Sequence, residues 1–235
     1  MLFLHASRAL IAADIHFAYE DVIGGALPTW STAELVTSLL VSAKLLEARE
    51  IILLGDIIHG SSMSDGAARA VRLGLEALRT AAALTLVAGN HEGKSRGAAV
   101  LGETVESALR DGWFLVHGDR MLSAPELASF NGVVIGHLHP SLALGGGASA
   151  PAFLSSDRLI VVPALTPYSG GLNVFSAACL QALAPFNVAS RQLEVVAAAG
   201  DLLYPFGTLS SLRKALAAGA PTPRNRYQRK FLRPD

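Results

Sequence analysis

Ile51-Ile52-Leu53-Leu54-Gly55-Asp56-Ile57-Ile58-His59 decides the fold. A run of four β-branched or leucine residues ends on Gly-Asp, which is how a strand buried on both faces stops at a turn and leaves a carboxylate on the sheet edge. Four further stretches follow the same design: Asp14-Ile15-His16, Gly89-Asn90-His91-Glu92, His117-Gly118-Asp119 and Gly136-His137-Leu138-His139 each close a hydrophobic run. Strands are therefore expected at Ala9–Ala13, Ile51–Leu54, Leu84–Ala88, Trp113–Val116 and Val133–Ile135.

Between these runs the period changes. Thr32–Ala48 carries Leu35, Leu39, Val41, Leu45 and Leu46 near helical spacing, with Ser31 as the expected N-cap, and Ala67–Arg79 carries Val71, Leu75 and Leu78 in the same way. Strand and helix in alternation specify β-α-β units on a mostly parallel sheet. After His139 the pattern shifts to short apolar runs at Ala152–Leu154, Leu159–Val162 and Leu172–Phe175, separated by turn residues, which reads as antiparallel. Gly145–Ala150 reads as a flexible loop. The expected fold is α/β: a four-layer α/β/β/α sandwich of two mixed sheets flanked by helices.

The chain has 235 residues, 51% of them hydrophobic, enough to bury a large single core. We read residues 1–220 as one domain and 221–235 as a basic tail, where Arg224, Arg226, Arg229, Lys230 and Arg233 interleave with Tyr227 and Phe231. Nineteen Lys and Arg balance nineteen Asp and Glu, so overall charge argues for no polyanionic partner, and charge matters only locally. The single cysteine, Cys179, excludes an intramolecular disulfide, agrees with a reducing compartment and reads as a small buried hydrophobe. Met1–Ala13 is apolar but lacks a basic n-region, and cleavage there would strip the first motif of its strand, so retention is expected. No charge-free apolar run reaches the roughly 20 residues of a membrane helix. The expectation is a cytoplasmic protein with no membrane partner; the sequence does not reveal an oligomeric state.

Six of the seven histidines fall inside the five motifs. Each motif alone is a common turn, but together they bring Asp, Asn and His donors to one sheet edge, as a site for two divalent cations requires. Phosphate ester hydrolysis needs a nucleophile at neutral pH and neutralisation of phosphoryl charge; two cations about 3.5–4 Å apart supply both by acidifying a bridging water and clamping the phosphate. A carboxylate must bridge them, since its lone pairs can serve two cations. His5 is left over and reads as a surface residue, and Asp119 as a turn residue.

The chain resembles the calcineurin-like metallophosphoesterase superfamily over essentially its whole length. Within it, the stretch Ala13 to Glu20, Gly136-His137-Leu138-His139-Pro140, and Val162-Pro163-Ala164-Leu165 through Gly170-Gly171 look most like the group called ICC-like or DNA-ligase-associated phosphoesterases. The resemblance implies that Asp14, His16, Asp56 and His139 bind one metal, and that Asp56, Asn90, His117 and His137 bind the other. It implies that His91 is a catalytic residue rather than a ligand, protonating the leaving group, with Glu92 orienting it. Two divalent ions are expected, Mn2+ first, with Fe, Zn or Mg as alternatives.

Two positions depart from the family pattern. His59 stands where Asp or Glu is common, and its readings are substrate contact, a held water or packing; Glu92 stands where Asp is usual. Lys94 and Arg96 either meet substrate phosphate or form a solvated loop. The implied activity is that of a phosphodiesterase on a phosphate ester, single-stranded nucleic acid or a nucleotide, in functional association with DNA repair enzymes. A phosphomonoesterase with the same site is the alternative. Two rival readings are a non-catalytic scaffold, against which every matched ligand position is present, and an NTPase on the relaxed phosphate-loop pattern Ala88–Ser95, which would leave the histidines without a role.

Overall fold

The computed structural model describes residues 1–23, 30–60, 63–91, 98–120, 122–123, 129–168, 170–186 and 188–218. Glu92, Lys94 and Arg96, Leu27, and the basic tail with its proposed domain boundary therefore lie outside the described residues.

The first sheet is built from β1 (Leu2–Leu4), β2 (Ala9–Ala13), β3 (Glu50–Leu54) and β4 (Ala83–Val87), in that spatial order. β1 runs antiparallel to β2, while β2, β3 and β4 are parallel, with Ile11 opposite Ile52 and Ile52 opposite Thr85. Met1–Ala13, whose apolar character raised the question of a leader, thus supplies two strands of this sheet. The crossovers are α1 (Tyr19–Ile23) and α2 (Trp30–Leu45) before β3, and α3 (Asp65–Ala81) before β4. α4 (Ala98–Leu101) has only four residues, so among the described residues no long helix of the kind a phosphate loop opens follows Ala88–Ser95.

The second sheet holds β5 (Ala108–Arg110), β6 (Trp113–Leu115), β7 (Gly132–Ile135), β8 (Pro140–Gly145), β9 (Ala148–Ser155), β10 (Leu159–Val161) and β11 (Leu172–Asn173). β12 (Glu194–Ala199) pairs with β9 and with β13 (Leu202–Thr208). α5 (Ala177–Leu183), two short 3-10 turns at Ala184–Phe186 and Ser190–Gln192, and α6 (Leu209–Ala217) complete the described elements. Of the runs expected to be antiparallel, β9 pairs antiparallel with β8, β10 and β12, whereas β10 also pairs parallel with β7, and β11 pairs parallel with β8. Both sheets are mixed.

Three apolar clusters define the four layers. Leu10, Ala12, Ile51 and Leu53 face Leu35, Leu39, Val71, Leu75 and Leu78 of α2 and α3. The alternate residues Ala9, Ile11, Ala13, Ile52 and Leu54 face Leu115, Val134 and Val162 of the second sheet. That sheet's other side, Val133, Ile135, Leu154 and Val161, packs on Cys179, Leu183 and Leu209 of α5 and α6. Period-two alternation in strands buried on both faces is the physical origin of the sandwich. Cys179 is fully buried, and burial pushes its thiol pKa up, as a small hydrophobe should show.

Two local expectations are corrected. Gly145–Ala150 is a hairpin, with β8 and β9 joined at Gly146-Gly147; both glycines have positive φ (60° and 82°), the requirement of a tight two-residue hairpin turn. Ser31 is not the cap of α2, which begins at Trp30; its backbone N–H donates to Glu20 Oε1 at 3.0 Å, so a buried carboxylate satisfies that helix terminus instead.

Candidate metal centre

Every motif sits just beyond the C-terminal end of a strand. Asp14 and His16 follow β2, Asp56 follows β3, Asn90 and His91 follow β4, His117 follows β6, and His137 and His139 follow β7. The first sheet thus supplies both carboxylates, the amide and one ligand-candidate imidazole; the second supplies three imidazoles. Backbone bonds fix the meeting of the loops: His16 N–H donates to Asp56 O at 2.9 Å, Gly55 N–H to Val87 O at 3.0 Å and Gly136 N–H to His117 O at 3.0 Å. The segment after β10 crosses to the first sheet, where Leu165 N–H donates to Ala13 O at 2.9 Å.

The residues land in two donor clusters. Asp14, His16, Asp56 and His139 form one, and Asp56, His117 and His137 the other, with the candidate ligand atoms of each group all within 4.8 Å of one another. Asn90 Oδ1 lies 3.0 Å from His117 Nε2, which places the amide beside the second group. His91 belongs to neither: its backbone N–H donates to Asp56 Oδ1 at 3.0 Å, and its Nε2 stands 3.7 Å from Asp56 Oδ2, with the side chain 38% exposed. His59, whose role the sequence left open, is in the site, its Nδ1 3.0 Å from His16 Nδ1. His5 is exposed, as expected, and Asp119 is exposed as well.

Backbone strain is concentrated here. Asp14, His16, Asp56, His137 and His139 all adopt positive φ, between 42° and 59°. A non-glycine residue there costs of order 1–3 kcal/mol and persists only where its surroundings over-determine it. Two glycines allow that crowding: a Cβ on Gly55 would collide with the His117 ring, and one on Gly136 would come within 2.5 Å of Asp14 Oδ2. The Gly in each of these motifs is therefore a clearance for a neighbouring donor.

The electrostatics suit cations. Burial, the largest influence, together with repulsion from His59, His139 and His91, outweighs the charge of Asp56 and pushes His16 down to about 3, so its imidazole is neutral with a free lone pair. Burial alone would raise the pKa of Asp56, but the hydrogen bond and charge of His117 and the backbone N–H and charge of His91 bring it down to about 2. Burial, followed by the charge of His117, also lowers His137. His117 moves the other way: burial opposes a charge on it, but Asp56 and Asp14 hold its proton more tightly than usual.

Asp14 and Asp56 find their ion-pairing partners among histidines. Asp14 Oδ1 and His117 Nδ1 are buried with no hydrogen-bond partner. A buried carboxylate oxygen in that state is costly unless something positive serves it. Two buried carboxylates, an amide oxygen and four imidazoles, converging from strained loops, fit a pair of divalent cations.

Such a fold and site define a metal-dependent phosphoester hydrolase. The chain belongs to the calcineurin-like phosphoesterase family, whose model matches residues 7–189. Among solved structures it is similar to the nuclease MPE of Pseudomonas putida, at 23% identity and a TM-score of 0.62, covering 86% of this chain and 90% of that one. Among curated proteins none matches significantly in sequence.

Proposed function

We propose that the chain is a Mn2+-dependent phosphodiesterase acting on nucleotides or single-stranded nucleic acid, of the ICC-like or DNA-ligase-associated kind. The observation that carries this reading is that Asp56 belongs to both donor clusters, as a bridging carboxylate must. In this reading Asp14, His16, Asp56 and His139 hold one cation, and Asp56, Asn90, His117 and His137 hold the other. When bound, the cations supply an acidified water for attack at phosphorus and neutralise the phosphoryl oxygens.

The protein's own groups do the rest. Two carboxylates against two divalent cations leave roughly two net positive charges, which attract a phosphate anion. His91, tethered through its N–H to Asp56 and exposed on its outer side, protonates the departing oxygen, and Glu92 orients it. His59 abuts His16 and faces substrate, with Lys94 and Arg96 as further phosphate contacts. Preference for a diester comes from the rim. Tyr19–Trp30 contains no Lys or Arg to hold the extra charge of a monoester dianion, whereas Tyr19, Val22 and Ile23 offer apolar surface to a second esterified group. The basic C-terminal tail is suited to a polyanion, and the similar solved structure is that of a nuclease, which agrees with a nucleic-acid substrate. Association with DNA repair enzymes rests on the subgroup resemblance.

The test compares a nitrophenyl diester with the matching monoester in Mn2+ and in Mg2+. The diester should show the higher kcat/KM, with Mn2+ the better metal. Asp56→Asn should lose most metal-dependent activity along with bound metal, because an amide bridges two cations poorly. A clear monoester preference would establish the phosphomonoesterase alternative instead.

A further inference from the structure

The loop between β10 and β11 presents Tyr168, which belongs to none of the five donor motifs. Its ring lies flat on Tyr19, with centroids 4.8 Å apart and planes 1° from parallel. Tyr19 leans on His59 at 4.5 Å. His59 in turn contacts His91 at 5.4 Å and His16 at 4.8 Å. A continuous row of rings thus runs outward from the metal centre, and it ends on a tyrosine that is 45% exposed.

The row is assembled from distant parts of the sequence. Tyr19 opens α1 directly after the first motif, and Tyr168 is held by the turn in which its N–H donates to Thr166 Oγ1 at 3.4 Å. Thr166 itself is tied to the metal centre, its N–H donating to Asp14 O at 3.4 Å. The outer ring is thereby positioned from the same backbone that positions a candidate ligand. Neither Tyr19–Trp30 nor Pro163–Gly171 contains Lys or Arg, so these two segments bring no cation to a substrate phosphate. What they offer is a flat π face, already backed by a second ring, with little side-chain freedom left to lose on binding.

We propose that Tyr168, backed by Tyr19, is the stacking platform for the nucleobase next to the scissile phosphate, and so determines specificity for nucleoside diesters. This rests on the phosphodiesterase reading above. Stacking on a tyrosine tolerates any base, because every base has a π face, and so the platform selects nucleotides as a class rather than a sequence.

The experiment uses two diesters with one leaving group: thymidine 5′-(4-nitrophenyl) phosphate and methyl 4-nitrophenyl phosphate. The wild-type enzyme should favour the thymidine ester through KM. Tyr168→Ala should reduce kcat/KM for that ester by about 5- to 100-fold, mainly in KM, and leave the methyl ester unchanged. Tyr168→Phe and Tyr168→Trp should retain the wild-type preference, which excludes a general loss of folding as the cause. An equal loss on both esters, or no preference in the wild type, would overturn the platform while leaving a phosphodiesterase. If the wild type hydrolysed neither diester but did hydrolyse nitrophenyl phosphate, the diester reading would fall and the platform with it.

Discussion

At the scale of single residues, the site separates groups that can hold a cation from a group that can move a proton. His91 shares its loop with Asn90, yet it stands outside both donor clusters, its backbone engaged by Asp56 and its ring against His16 and His59. His91→Ala should therefore keep two metals per chain and lose turnover by about 10²–10⁴-fold, the range of general acid catalysis. Because a nitrophenolate departs with little need of a proton, the loss should be smaller for a nitrophenyl ester than for an alkyl ester. Metal analysis of the purified variant is the decisive measurement. A drop in bound metal would move His91 into the ligand shell.

At the scale of elements, the donor-bearing strands were legible because hydrophobic runs buried on both faces end abruptly on Gly, Asp or His. β2 carries its expected bounds, and β3, β4, β6 and β7 differ only at their ends by a residue. What escaped was structure without contrast. Ala177–Leu183 is helical, yet its alanine-rich sequence shows no apolar stripe to distinguish helix from strand; the cap that starts it, Ser176 accepting from the Cys179 N–H, is a single side chain. β13 is mostly exposed and contains Pro205, so neither burial nor propensity marks it. His59 stayed open because a turn residue's partner is set by the neighbouring loop, and only the fold brings it to His16. The Tyr19–Tyr168 pair was hidden for the same reason, with partners about 150 positions apart.

β3 and β5 also carry a clamp at the end of the sandwich opposite the site. Arg110 donates through Nε and Nη2 to Glu50 at 2.6 and 2.7 Å, and Thr85 Oγ1 donates to the same carboxylate at 2.6 Å. Burial would raise the pKa of Glu50, but the hydrogen bonds from Arg110 and Thr85 and the charge of Arg110 bring it below the usual 4.5. The unfolded chain then binds the proton more readily than the folded one. The contribution is therefore fully present above pH 4.5 and fades as pH falls toward the folded value. Glu50→Gln should lower unfolding free energy near neutrality by roughly 1.5–3 kcal/mol, the scale of hydrogen bonds to a charged group. The gap between wild type and variant should close in acid. Denaturant titrations from pH 7 to pH 3 would check it, and a gap independent of pH would mean that packing, not the ion pair, explains the loss.

For the whole molecule, the metal centre is a joint between two sheets as well as a site of chemistry. Each donor cluster draws on both: Asp14, His16 and Asp56 come from the first sheet and His139 from the second, while Asp56 meets His117 and His137 across the same boundary. The layer between the sheets is apolar, with Ala9, Ala13, Ile52, Leu54, Val134 and Val162 buried in it, so the sandwich has a core of its own without the cations. Bound cations should thus strengthen one cooperative transition rather than create it. Each ion that binds the folded state alone at a hundred times its dissociation constant adds about 2.7 kcal/mol, so two add about 5.4 kcal/mol. For a chain of this size, each kcal/mol moves the midpoint by about 2–4 °C, so chelation should lower Tm by roughly 10–20 °C and leave a single transition. Asp56→Asn should show little further shift on chelation, since it has already lost the carboxylate common to both clusters. Calorimetry with and without Mn2+ reads both outcomes. A Tm that ignores chelation while activity disappears would show that the cations do not join the sheets.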